Sequence, residues 1–450
     1  MKLIDARGFV PIAFACVAIL ACATQAAPLP KAQSERLVRF VTQFEKLAMF
    51  DGSILIDVGG EVVFERSFGR ASYEQDARHG PETRFRIASV SKMLTDVAMA
   101  RMQMAGKLNL REKLSGYLPD FPGADRIALS MLLDHTSGIA HTNRQPWGEG
   151  SQRLTLDEIV ARLALLPLDF EPGSDSSYSN GGYAVAAKVL EIAGEGSYAE
   201  VMRRTVFEPL AMVGSGHLAN SRVPVRQLAT GYEPGAVPGQ RRFPRFYAVE
   251  TRPGGGSLIA TARDLHRLTA AVFRNDFVDE ALRRSVLGAE GSTFLSQGRS
   301  PGFVAKLYFD RGDDVIVISL ANNYAVPADW AAALADLALG RPPGGDWPVL
   351  KPSSTRVLET DPRLGEYLNS RGNRPMSIRR SSTGGLLLFE GREAPGTALV
   401  PLADGAFLIP HYFQRCQQDA ASRQIECRIL SGNPRYSSTL TAITSAGVTP

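Results

Sequence analysis

The stretch Phe85-Arg86-Ile87-Ala88-Ser89-Val90-Ser91-Lys92 sets a serine three residues ahead of a lysine, at what reads as a helix start. That spacing puts both side chains on one helix face, one turn apart. A serine hydroxyl is a weak nucleophile until a neighbour takes its proton. A lysine can take it when burial or nearby cations push it toward the neutral amine. The positive end of the helix would also favour the negative charge that develops on an attacked carbonyl. Alone the pattern says little, because a chain of average composition and this length contains a Ser-x-x-Lys by chance about once.

A second group lies further on. Glu171-Pro172-Gly173-Ser174 leads to Tyr178-Ser179-Asn180-Gly181-Gly182-Tyr183, on a loop entering a helix. Tyr-x-Asn on such a loop lays a phenol and an amide side by side. Beside ammonium groups, the phenol could lose its proton more easily than its usual pKa of about 10 allows. It would then serve as general base, or relay protons between serine, lysine and leaving group. The amide could hold the lysine and the substrate carbonyl. Taken alone, the tripeptide is better explained as a packed tyrosine in a turn.

The elements that must position these groups are readable. Glu35 to Met49 has Leu37, Val41, Phe44 and Ala48 at helical spacing. Ser53–Val58 and Glu61–Glu65 flank Gly59-Gly60, a hairpin signal. Ser91 to Ala105, Asp157 to Leu166 and Tyr183 to Ile192 read as helices, and Phe303–Asp310 and Val315–Ala321 as strands before a helix at Ala328 to Leu339. Arg341-Pro342-Pro343-Gly344-Gly345-Asp346-Trp347-Pro348 breaks every regular pattern and reads as a linker. Beyond it, short runs at Met376–Arg379, Leu386–Glu390, Ala406–Pro410 and Ile425–Leu430 suggest a small β-barrel or sandwich.

The chain has 450 residues, enough for two or three domains at roughly 100–200 each. It is 44% hydrophobic and 21% charged, which excludes disorder, collagen-like repetition and a polytopic membrane protein. Lys+Arg is 50 against 46 Asp+Glu, a net +4 too small and dispersed to argue for nucleic acid. Six histidines and four cysteines never cluster at ligand spacing, so neither a metal nor another cofactor is expected.

At the start, Lys2 and Arg7 precede an uncharged run from Phe9 to Ala23, then small residues to Ala27 and Pro28. That describes a secretory signal peptide over residues 1–26. The run is shorter than the roughly 20 apolar residues of a membrane span, and Pro11 interrupts it. Ile19-Leu20-Ala21-Cys22 weakly resembles a lipobox, which leaves a lipid anchor at Cys22 open. Past the signal only Cys416 and Cys427 remain, and an even count in an exported chain suggests one disulfide.

Taken in order, the motifs resemble those of the serine β-lactamase-like superfamily, which holds class C β-lactamases, penicillin-binding D,D-peptidases and related esterases. Ser-x-x-Lys is a signature shared with class A β-lactamases and penicillin-binding proteins. The resemblance runs over roughly Phe40 to Tyr324. It includes Gly106–Leu110 with Tyr117-Leu118-Pro119, Leu132–Ile139, Val206–Met212 and Gly254-Gly255-Gly256-Ser257. Tyr-x-Asn points to the class C and esterase branch. The resemblance implies an α/β (α+β) fold, with an antiparallel sheet flanked by helices and a helical subdomain. The expected plan is a hydrolase domain over 27–340, a linker over 341–355 and a β-rich domain over 356–450.

The resemblance also implies Ser89 as nucleophile, Lys92 as its activating partner, and Tyr178 with Asn180 as the second motif. The family's third motif, Lys-Thr-Gly or His-x-Gly, falls at Ser296-Gln297-Gly298-Arg299, where Ser296 replaces the basic residue. Strand alternation puts Ser296 and Gly298 on one face and Gln297 and Arg299 on the other. The backbone N–H groups of Ser89 and Arg299 are then expected to form the oxyanion hole. The stretch from Ser257 to Ser296 is short for the family, which would leave one side of the cleft open.

Two other patterns are decoys. Gly298-Arg299-Ser300-Pro301-Gly302 fits a Gly-x-Ser-x-Gly elbow, but Pro301 offers no N–H and a strand follows where a helix is needed. His135 beside Ser137 invites a Ser-His reading, which the resemblance turns into a structural loop. The expectation is an exported serine hydrolase acting on an ester, a D-amino-acid peptide or a β-lactam, small or peptidoglycan-derived, with ester hydrolysis favoured. Its rival is a non-hydrolysing penicillin-binding sensor or cell-wall scaffold of the same fold.

Overall fold

A computed structural model describes residues 28–442 apart from 143–153, 221, 247, 289–290, 324–325, 327–328, 345–346, 348–360, 370–373, 383, 391–395, 403, 410–413, 420–423 and 430–437. The expected signal peptide at 1–26, Cys22 included, lies outside the described residues, as does most of the expected linker. No described helix is long and apolar enough to cross a membrane.

At the centre is a five-stranded antiparallel sheet. Its order is Thr293–Ser300, Phe303–Asp310, Val315–Ala321, Gly52–Val58, Glu61–Phe68. The hairpin read from Gly59-Gly60 is present; both glycines have positive φ, 64° and 89°, as a two-residue hairpin turn of the primed type requires. Alternation sends Leu55, Ala305, Leu307 and Ile318 to one face and Ile54, Ile56, Val304 and Val317 to the other. Helices cover both faces, which is why Val315–Ala321 is buried along its whole length.

The second of those faces carries α1 (Lys31–Glu45). It starts four residues earlier than its apolar spacing indicates, because Pro30 takes the N-cap position, where a missing N–H costs nothing. It ends when Ala48 turns into the left-handed region at φ 55° and the Met49 N–H closes onto Phe44 O. The opposite face supports α2 (Val90–Met104), α3 (Ser130–Leu133), α4 (Leu156–Ala164), α5 (Asn180–Gly194), α6 (Tyr198–Met202), α7 (Ala262–Phe273) and α8 (Glu280–Leu287), whose apolar residues form one continuous core. Beside α1 lies α9 (Trp330–Ala338), whose Trp330 stacks on Phe40 and donates to Ser319 Oγ at 3.0 Å.

Downstream, Arg341 pairs with Asp313, and Trp347 packs 5.1 Å from Phe40, so this part of the expected linker is tied to the body. Among the described residues the C-terminal strands form one nine-stranded antiparallel sheet, not the two sheets of a sandwich. Its outermost strands, Thr397–Ala398 and Val400–Pro401, are consecutive in the chain. The sheet therefore curls until one stretch supplies both edges. Tyr367, Ile378, Phe407 and the bonded pair Cys416–Cys427 fill its interior. Val400, Leu402 and Leu408 point the other way, into the core around α1 and α9.

Candidate active site

Three pieces of backbone converge on Ser89. The first is the start of α2. Phe85–Arg86 pairs with Leu258–Ala260, and the Ile87 N–H bonds to Leu258 O at 3.1 Å, so the chain arrives anchored. Ala88 then turns through φ 46°. A residue with a Cβ pays strain there, and such strain persists where the surroundings enforce it, commonly at functional sites. The turn delivers Ser89 to the N-cap of α2, where its N–H meets no protein acceptor among the described residues.

Lys92 follows one turn later and is 6% exposed. Its Nζ donates to Asn180 Oδ1 at 2.6 Å and to Gly255 O at 2.8 Å. Burial drives its pKa down to about 7; Asp96 opposes the shift and Arg252 adds to it. A neutral amine has two N–H groups and one lone pair. Asn180 and Gly255 use both donors, so the lone pair is the position left to receive a proton.

The second piece is the loop into α5. Ser179 caps that helix by accepting the Gly182 N–H, and Asn180 is the first helical residue. The helix thus begins at the motif itself, three residues before its apolar spacing starts. Gly181 is required here: a Cβ would lie 2.2 Å from Ala140 O. Two imidazoles hold the loop. His135 Nδ1 accepts the Ser179 N–H at 3.2 Å and His141 Nδ1 the Asn180 N–H at 3.1 Å. Their rings pack 4.7 and 5.6 Å from Tyr178. Burial, with the Lys92 charge adding to it, holds His135 down at about 4, so its Nδ1 stays an acceptor at neutral pH. His135 is a structural support, and it touches the site.

Tyr178 Oη lies 2.7 Å from Ser89 Oγ. One expectation is corrected here. Burial raises the Tyr178 pKa, outweighing the Ser89 hydrogen bond, so the phenol keeps its proton. The cation meant to lower it, Lys92, has its own pKa brought down to about 7 and is only partly charged at neutral pH. Tyr178 can relay a proton, but the group suited to accept one is Lys92.

The third piece is the edge strand Thr293–Ser300. Gly298 abuts the nucleophile's turn: a Cβ would lie 2.2 Å from Ile87 O and 2.7 Å from Ser89 N. Ser296 shares its face. Gln297 and Arg299 are exposed on the opposite face, where Gln297 accepts from the buried Lys306 at 3.2 Å. Alternation therefore leaves the Ser296 hydroxyl on the Gly298 face, at the position the sequence resemblance assigns to a cation. The Gly-x-Ser-x-Gly decoy is a strand, a Pro301-Gly302 turn and a second strand, with Ser300 buried.

The sequence reading missed Asp96, Tyr183, Arg252 and His141. Asp96 was open to discovery, since it stands four residues after Lys92 on one helix face. Arg252 and His141 sit on loops, where spacing carries no such signal.

A family model described as Beta-lactamase matches residues 39–339. PbpX of Bacillus subtilis (strain 168), named as a penicillin-binding protein, is 26% identical over 315 residues, 64% of this chain and 76% of its own length. Teichoic acid D-alanine hydrolase of Staphylococcus aureus is 24% identical over 271 residues, which span 60% of this chain and 66% of that relative, just under two thirds. The crystal structure of SurE aligns with a TM-score of 0.58 at 18% identity, covering 92% of this chain and 99% of SurE. At that identity the likeness is one of fold, and its reach takes in the C-terminal strands.

Proposed function

The chain belongs to the β-lactamase family, and from that premise we propose that it is a serine hydrolase working through an acyl-enzyme on Ser89. The observation that carries the reading is the hydrogen bond of Ser89 Oγ to Tyr178 Oη beside a buried Lys92 whose two N–H donors are already engaged. Ser89 Oγ attacks an ester or amide carbonyl, and its proton passes to the Lys92 amine, directly or through the Tyr178 hydroxyl. The N–H groups of Ser89 and Arg299 hold the oxyanion, with the start of α2 adding positive potential. Collapse expels the alcohol or amine, which takes the proton back from Lys92. Water then enters by the same route and frees the acid.

The substrates we favour are neutral acyl esters and D-alanyl esters or amides. Ser296 supports this, because a hydroxyl holds a carboxylate less strongly than an ammonium does. The name of the staphylococcal relative, a D-alanine hydrolase, points the same way. We place the activity outside the cytoplasm, since the Cys416–Cys427 disulfide suits an oxidising compartment. Residues 27–340 would form the hydrolase unit and 356–450 an accessory unit.

A second reading, a penicillin-binding sensor, draws on the same Ser296. A panel of nitrophenyl acetate, a D-alanyl ester and a fluorescent penicillin separates them. Turnover of either ester is expected. A penicillin adduct that persists, with no ester turned over, would favour the sensor.

A further inference from the structure

Behind Lys92 lies a buried carboxyl that the acyl-transfer steps do not use. Asp96 follows Lys92 by one turn of α2 and is 6% exposed. Its Oδ1 is 2.8 Å from Tyr183 Oη, and that oxygen is also 3.0 Å from Leu133 O. Leu133 is the last residue of α3, so its carbonyl has no partner within the helix and needs a donor from outside. Among the described residues Tyr183 is the donor it has.

Counting protons decides the arrangement. Tyr183 has one hydroxyl proton, and a carbonyl can only accept. If Asp96 were ionised, two acceptors would compete for that proton and one would be left unmatched in a buried site. If Asp96 carries a proton, Asp96 donates to Tyr183 and Tyr183 donates to Leu133 O, and both bonds are made. The surroundings agree. The groups facing Asp96 are Lys92 on its own helix, Tyr183 on α5 and Tyr198 on α6. Asp134 acts on Tyr183, and Arg252 acts on Lys92. Lys92 makes no ion pair with Asp96 within 4 Å; its donors go to Asn180 and Gly255. Burial raises Asp96 well above the usual carboxylate range.

We propose that Asp96 is a positioning residue held as a neutral acid by Tyr183 and the Leu133 carbonyl, so that no buried anion faces Lys92. This rests on the reading of Lys92 as the proton acceptor for Ser89. A carboxylate at this place would hold Lys92 as an ammonium and remove the lone pair that Ser89 needs. As an acid, Asp96 instead orders Tyr183, whose ring centroid is 5.0 Å from Lys92 Nζ.

The test is a set of pH profiles with an independent spectroscopic readout. Asp96→Asn keeps a neutral group with a donor for Tyr183. Its kcat/KM should stay within about twofold of the wild type, with the acid limb of the profile unmoved. Asp96→Ala should lower kcat about tenfold without moving that limb, and Asn in its place should restore it. If Asp96→Asn moves the acid limb by more than about one pH unit toward acid, the wild-type residue is an anion paired with Lys92, and the proposal is overturned. Infrared spectroscopy of the wild type at neutral pH should show a protonated-carboxyl stretch that Asp96→Asn and Asp96→Thr both lack. Absence of that band refutes the inference on Asp96 alone. If no substrate is turned over, the Ser89 reading fails, and the infrared band still decides Asp96.

Discussion

At the scale of single residues, two groups fix how the site should respond to conditions. Lys92 must be a neutral amine to accept the Ser89 proton, and burial sets its pKa at about 7. Below that value the ammonium dominates; above it the amine does. The rate kcat/KM for an uncharged ester should therefore rise as pH increases through about 7, or somewhat lower where Asp96 is the neutral acid proposed above and no longer opposes the shift, with one proton lost. A flat profile across that region, after correction for spontaneous hydrolysis, contradicts Lys92 as the base. On the proposed reading, Ser296 would set selectivity. A neutral hydrogen bond contributes about 0.5–1.5 kcal/mol and a charged one roughly 1.5–3. The difference of about 1–2 kcal/mol amounts to about 5- to 30-fold in holding a carboxylate. Ser296→Lys should raise kcat/KM for penicillins by that factor and leave nitrophenyl acetate nearly unchanged. If neither substrate responds, another residue holds the carboxylate; the buried Arg252, which acts on Lys92, would be the first to examine.

At the scale of elements, the site depends on backbone brought closer than a side chain would allow. Gly298→Ala must move the edge strand away from Ile87 and Ser89, because the added Cβ falls 2.2 Å from a carbonyl oxygen. We expect kcat/KM to fall on the order of 10², the scale of losing one oxyanion donor, with a smaller effect on thermal stability. Wild-type activity in this variant would mean that the strand does not border the nucleophile. Close approaches of this kind explain what was legible in the sequence. Strands with strong alternation or continuous apolar runs, Phe303–Asp310 and Val315–Ala321, were readable to the residue. The starts of α1 and α5 were not, because α1 is begun by Pro30 and α5 by Ser179, and neither belongs to an apolar stripe. Ser89, Lys92, Tyr178 and Asn180 stood out by motif, and the structure brings all four together. The proton state of Tyr178 was misjudged, because the sequence shows a lysine but not its burial. Arg252 and His141 enter the site only through tertiary contacts between elements far apart in the chain, whereas Asp96 stands one turn after Lys92 on α2 and its spacing could have been read.

At the scale of the whole molecule, the C-terminal sheet turns Val400, Leu402 and Leu408 into the core around α1 and α9, on the opposite side of the central sheet from Ser89. Its own interior is stapled by Cys416–Cys427, a facing pair on neighbouring strands. Replacing both cysteines with serine should cost roughly 3 kcal/mol of local stability on the chain-entropy account. Hydrogen exchange should place that loss in the C-terminal strands and leave α2 protected as before. An equal loss of protection in α2 would show that the two parts unfold as one. Hydrolysis should survive the change, because no group of the site comes from those strands. The central claim is that this fold makes Ser89 a nucleophile that carries the acyl group. It is tested most directly by mixing the enzyme with nitrophenyl acetate, quenching in acid within the first turnover, and mapping the modified peptide by mass spectrometry. One acetyl group on Ser89, formed as fast as nitrophenol is released and absent from Ser89→Ala, is the predicted result. Acetyl on any other residue, or nitrophenol released at the wild-type rate by Ser89→Ala, would contradict the account.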